Sequence, residues 1–191
     1  LPLLKKEVLV DAIDLRGVKA NTGNLIEGME IKGTLGKLYA KADRIDLGKE
    51  IARLNKIDLS DTAITLLMND TTTNKDTTST AVNWKLMLDQ IDLDRVAFAM
   101  QIPGDSLRLS TYIDKAGLTD GIVDLGSARY SASQFLLSGS SLSYDGSYSD
   151  PAPGFDPAHI ALNDVNIRID SLLYGGRDIS ARIKKFSAND R

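Results

Sequence analysis

Cysteine is absent from this 191-residue chain, histidine and tryptophan occur once each, and proline only five times. Without cysteine there is no disulfide framework, no thiolate zinc site and no cysteine nucleophile. No run of roughly 20 apolar residues occurs, so nothing here spans a bilayer as a helix. No dense lysine or arginine block occurs either, and the net charge is −3 with a pI near 5.2. That balance argues against a nucleic-acid binder. The short basic spots at 4–6 and 182–185 read as solvated faces. There is no signal-peptide pattern. The chain opens Leu1-Pro2-Leu3-Leu4 and enters a strand pattern at once, so 1–191 is expected to be a single segment of a longer protein.

What the chain has is an internal repeat. IDLDRVAFAM at 91–100 recurs as IDLRGVKA from 13, IDLSDTAITL from 57, VDLGSARYSA from 123 and IALNDVNIRI from 160, with a shorter RIDL at 44–47. A repeat implies stacked similar units rather than elements wrapped around one centre. Around the first copy the apolar residues are Val8, Val10, Ile13, Leu15 and Val18; around 91 they are Leu86, Leu88, Ile91, Leu93, Val96, Phe98 and Met100. Steps of two alternate with steps of three. A helix would scatter such side chains around its circumference. In a strand each step of two keeps one face, and each step of three inserts one residue as a β-bulge or corner. The pattern predicts curved strands with one apolar face, in a mostly β, largely antiparallel repeat sheet bent into an elongated trough, half-barrel or solenoid.

Along the chain, strands are expected at 5–20 and 25–47, with a helical turn or a short strand at 48–56 and further strands at 57–68 and 82–102. The Thr-rich stretch 69–81 reads as a mobile insertion. Pro103-Gly104-Asp105 reads as a turn, followed by a strand through 107–113, a turn at AGLTDG (116–121) and a strand at 122–132. A Ser-rich stretch to 144 and a second insertion at 145–159 follow. Strands at 160–174 and 178–188, joined at Gly175-Gly176, end the segment. Short strands joined by turns favour antiparallel neighbours.

Catalytic signatures are nearly absent, and no enzyme activity is expected. His159 lies just before a strand, but no G-x-S-x-G context accompanies it and SGSS at 138–141 lacks the elbow pattern. It reads as a surface loop residue. The acidic pairs Asp11/Asp14, Asp43/Asp46, Asp58/Asp61 and Asp92/Asp94 admit calcium or glycosidase readings. The repeat gives a plainer one, since the aspartate of I-D-L points away from Ile and Leu, toward solvent. No EF-hand loop is present, GTLG and LYGGR do not open helices, and neither a metal nor a cofactor is expected. Trp84 shares the parity of Leu86 and Leu88, which suits packing against the apolar face.

GTLGKLYAKADRIDL at 33–47, IDLDRVAF at 91–98 and the LMLD before it resemble the TamB proteins of the AsmA-like superfamily, Bacteroidetes-type. The resemblance covers most of the chain as a repeat style and is strongest at 5–47 and 84–130. The copy at 123 departs from it, with Ala128 and Tyr130 where apolar groove residues are expected. The resemblance implies a periplasmic part of an inner-membrane-anchored envelope protein of Gram-negative bacteria. It also implies an outer-membrane β-barrel partner of the TamA type and a role in outer-membrane biogenesis. That role is phospholipid passage between membranes or assembly of outer-membrane and secreted proteins. It implies no catalytic residues.

The expected groove is lined by Ile13 and Leu15 near the start and by Ile64 and Leu66 in the second copy. Leu86, Leu88, Ile91, Leu93, Val96, Phe98 and Met100 line it in the third, and Ile167 and Ile169 near the end. Phospholipid acyl chains or unfolded β-strands are the expected occupants, with the rest of the same chain as neighbour and no nucleic acid. Two alternatives stand beside this. The same residues can pack on one another as a filled core, in a structural or adhesive β-repeat protein of the cell surface. A β-solenoid polysaccharide lyase would need an exposed acidic and basic cluster on one sheet, which the alternation does not supply.

Overall fold

A computed structural model describes residues 7–8, 11–23, 28–68, 83–104, 106–146, 150–175 and 178–190. They form one sheet of nine strands with no helix among them: β1 (Glu7–Val8), β2 (Ala12–Asn21), β3 (Met29–Asp46), β4 (Ile51–Met68), β5 (Lys85–Ile102), β6 (Leu107–Asp124), β7 (Arg129–Asp145), β8 (His159–Gly175) and β9 (Asp178–Asp190). β1 and β2 lie end to end along β3, and the order then follows the sequence to β9. Neighbours are antiparallel except β4 and β5, which run parallel, Ile51 beside Lys85 and Leu67 beside Gln101. The chain therefore leaves β4 at one rim of the sheet and re-enters β5 at the other. The sheet is open, with β1 and β2 on one edge and β9 on the other.

Most strands are 17 or 18 residues long, about three times the usual length. Two creases make that length possible, and they fall at the steps of three. One crosses the sheet through Gly17, Asp61, Arg95, Gly139 and Asp164, all at positive φ. The neighbours either side stay in register: Ser60 with Asp94, Thr62 with Val96, and Val96 with Ile113. The other crosses at Asn55, Asp89, Asp120, Ser133 and Ser171, with Asp120 and Ser171 at positive φ. Glycine takes this conformation freely and aspartate tolerates it. Each 18-residue strand is thus a wall, a floor of about five residues and a second wall.

The sheet bends toward its apolar face. Most buried residues on that face lie at the creases: Thr62, Val96, Ser140 and Val165 at the first, Leu88, Gly121 and Ala132 at the second, with Ala52 buried nearer a rim. The bulges leave polar groups on the crests, and local side chains meet them. Arg95 Nε donates to Asp61 Oδ1 at 2.7 Å and its Nη1 to Asp94 Oδ1 at 2.7 Å, clasping the parallel seam. Asn55 Nδ2 donates to Asp89 across the same seam at 3.1 Å. Thr62 and Ser140 donate their hydroxyls to the carbonyls of Ser60 and Ser138 two residues back. Gly36 faces the Asp61 bulge closely; a Cβ there would lie 2.5 Å from Asp61 Cβ and 2.6 Å from its carbonyl oxygen.

Several sequence expectations are corrected. AGLTDG is not a turn: it lies inside β6, where Asp120 makes a bend and Gly121 occupies the inner corner. The expected strand at 122–132 is broken by a hairpin turn at 125–128, and the Ser-rich stretch is strand β7, its serines 131, 141 and 143 alternating on the polar face. Of the two readings left open for 48–56, the strand is found: residues 51–56 begin β4. The copies at 44 and 123 are not crease copies. They are hairpin turns in which Asp46 Oδ1 accepts the Gly48 and Lys49 amides at 3.1 and 3.0 Å, and Asp124 Oδ1 accepts Ser127 N at 3.0 Å. The true counterpart of the crease copy in β7 is FLLSGS, at 135–140. The insertion expected at 69–81 lies outside the described residues. Within that expected at 145–159, residues 150–158 form an irregular loop before β8.

Candidate functional site: an apolar trough

Register places every expected groove residue on one face. Ile57, Leu59, Ile64 and Leu66 of β4 stand beside Ile91, Leu93, Phe98 and Met100 of β5, and Ile13 and Leu15 reach the same face through Ala40 and Leu38. Ile167 and Ile169 join it through Leu137 and Phe135 of β7. Pattern matching missed the residues that carry the face across β6 and β7: Leu109, Ile113 and Leu118, then Phe135, Leu137 and Leu142. The signal was present in β7, where Phe135, Leu137 and Ser140 keep the two-then-three step with serine in an apolar place.

No second layer covers this face among the described residues, which form a single sheet. Of the thirteen expected residues only Leu88 and Val96 are buried; Ile13, Leu15 and Ile64 are exposed and the other eight half-buried. The total surface is 13276 Å² for 20.7 kDa, against about 8,900 Å² for a compact monomer of that mass. A filled core would seal the face, and among the described residues it is open. Between β2, β3 and β4 it holds a hollow of about 240 Å³ lined by Val18, Ile31, Leu35, Thr62 and Ile64.

Three properties decide what such a surface can do. It is uncharged across its body: from β2 to β8 every inward position is apolar, glycine, or one of Thr62, Thr111 and Ser140. It is wide: a floor of five residues sets the feet of the walls about 17 Å apart, whereas facing sheets pack dry at about 10 Å. And its interior has almost no free backbone hydrogen-bonding groups, because the strands satisfy one another; among the described residues the unpaired edges are those of β1, β2 and β9.

The outer face holds the charge, part of it in ion pairs. Asp58 meets Lys56 at 3.2 Å, Asp14 meets Arg16 at 3.0 Å, and Asp89 meets Arg53 at 3.5 Å. The Arg95 guanidinium holds the Asp61 carboxyl below its ordinary range, and Arg16 does the same for Asp14. No group of acids and histidine suited to a metal occurs among the described residues. His159 Nδ1 lies 2.9 Å from Asp156 Oδ2. Asp156 also accepts the amides of Ala152 and Ala158, both at 2.9 Å. Those bonds, the Ala152 amide foremost, lower its pKa to about 2. The pair is a clip that shapes the loop before β8.

Neither a protein-family model nor a curated protein matches the chain.

Proposed function

We propose that this chain is a non-enzymatic periplasmic module of a TamB- or AsmA-like envelope protein, whose trough carries phospholipid acyl chains in support of outer-membrane biogenesis. The observation that carries the reading is an apolar concave face that no second layer covers among the described residues, along eight strand positions, about 34 Å at the usual strand spacing. Soluble proteins rarely leave an apolar patch of this size uncovered without a use for it. An acyl chain lying in the trough removes apolar surface from water at about 25 cal/mol per Å², with no directional contacts. The alternative cargo, an unfolded β-strand, brings amide and carbonyl groups that the trough interior cannot satisfy, at about 1–3 kcal/mol for each group left unpaired. The geometry therefore favours lipid over protein in the trough. The resemblance supplies the setting: an inner-membrane anchor elsewhere in the protein, and an outer-membrane β-barrel partner of the TamA type.

The test is native mass spectrometry of the chain purified from bacterial cells, with lipid extraction in parallel. The reading expects co-purifying phospholipid, lost when Leu93 and Ile169 are both replaced by Asp on the floor. Absence of lipid from the wild-type chain, or unchanged lipid on the charged variant, overturns it.

A further inference from the structure

The trough is not uniform from end to end. From β2 to β6 its inward residues are aliphatic apart from Phe98 and a few small or hydroxyl positions, but β7 and β8 place three tyrosines on the same face. All three stand at a lip. Tyr130 is the second residue of β7, Tyr144 the last but one, and Tyr174 the last but one of β8. Tyr130 and Tyr174 are register partners, with rings stacked at 5.8 Å between centroids and 28° between planes. Neither hydroxyl has a hydrogen-bond partner among the described residues. Tyrosine suits such a border, with its ring on the apolar side and its hydroxyl in the wet layer.

A cation stands at the same lip. Arg129, the first residue of β7, is exposed and passes over Gly175, where a Cβ would lie 2.9 Å from Arg129 Cγ. It forms no ion pair among the described residues. Its register partner Asp124 is held by the Ser127 amide and acted on by Lys85 instead. Asp178, next along that row, also leaves Arg129 unpaired.

Resting on the proposed acyl-chain function, we propose that the lip formed by Arg129, Tyr130 and Tyr174 receives the phosphate group of a glycerophospholipid whose chains lie in the trough. The hydroxyls donate from the inner side of the lip and the guanidinium from the outer side, so an anionic head has donors on both. Nothing charged lies deeper, so the head stays at the lip while the chains go down.

Trp84, the one tryptophan, precedes β5 on the same wall and accepts the Leu125 amide at 2.9 Å, so its fluorescence reports occupancy nearby. Binding of a phosphatidylglycerol and of the uncharged diacylglycerol with the same chains, each carrying a quencher on the acyl chain, is measured by Trp84 quenching. The wild-type chain is expected to bind the phospholipid about tenfold more tightly, the weight of one or two charge-assisted hydrogen bonds. Arg129→Ala with Tyr130→Phe and Tyr174→Phe should lose that preference and leave diacylglycerol binding unchanged, which also shows that the variant is folded. Millimolar inorganic phosphate should not displace the phospholipid. Equal affinity for the two lipids in the wild type, a preference that survives in the variant, or displacement by phosphate alone overturns the lip site while leaving the acyl reading intact. Failure of both lipids to bind overturns both.

Discussion

Ile91-Asp92-Leu93 and Val123-Asp124-Leu125 are nearly the same tripeptide in two different places. At 91–93 it is floor: Ile91 and Leu93 face the trough and Asp92 points outward to the Gln90 amide at 2.6 Å. At 123–125 it ends a strand: Asp124 caps a hairpin and Leu125 is 40% exposed. The copy at 45–47 repeats this, with Leu47 45% exposed and Asp46 holding two turn amides. What separates them is the next two residues. Asp-Arg, Arg-Gly or Ser-Asp lets the strand bend and resume; Gly-Ser or Gly-Lys ends it. The repeat unit is therefore the tripeptide together with its bulge.

The largest contrast should come from charging the leucine. Leu93→Asp is expected to cost about 2 kcal/mol, because the carboxylate is surrounded by apolar neighbours, whereas Leu125→Asp should stay within about 0.5 kcal/mol. Urea denaturation midpoints of the two variants test this, and equal losses would break the distinction between floor and turn. Next are the glycines. Gly36→Ala forces a Cβ into Asp61 at the crease and should cost about 2–3 kcal/mol. Gly48→Ala in the turn meets only Asp46 Oδ1 at 3.5 Å and should change stability by less than about 0.5 kcal/mol. The same denaturation series decides it.

The aspartates give a smaller contrast. Asp46→Ala frees two turn amides from a buried acceptor and should cost about 1–2 kcal/mol, against under about 0.5 kcal/mol for Asp92→Ala on the exposed outer face. The smallest effect is in pH. Asp156 titrates near 2 because the Ala152 amide, His159 and the Ala158 amide favour its charged form. A lowered carboxyl pKa means the native loop gains stability from ionised Asp156 above about pH 4 and loses it as pH falls toward 2. The amide resonances of Ala152 and Ala158, followed by NMR, should hold at pH 4 and shift between pH 4 and 2. A midpoint near the ordinary carboxyl value would show that the clip does not form.

Much of this was legible in the chain. Steps of two and three called for an extra residue between Leu88 and Ile91 and between Leu93 and Val96, where the bends at Asp89 and Arg95 lie, because an apolar face must stay on one side of a bent strand. The thirteen groove residues followed from the same parity. What parity could not see is register between strands, so the middle of β6 and most of β7 went unassigned, and serines at 138–143 masked a strand. Ser140 is buried with its hydroxyl returned to the Ser138 carbonyl, so a polar letter there carries no outward signal. The parallel seam was hidden for another reason: β4 and β5 carry similar sequences in the same orientation, and turn chemistry reports only on neighbours joined by short turns.

The absence of cysteine makes the most direct test simple. A single cysteine placed at Leu93 or at Asp92 and labelled with a photoreactive benzophenone is irradiated with phospholipid vesicles, and adducts are weighed by mass spectrometry. The two positions are adjacent in sequence and face opposite sides of the sheet. Phospholipid adducts at 93 and none at 92 are the predicted result; equal labelling at both, or none at 93, would contradict an open lipid-bearing trough.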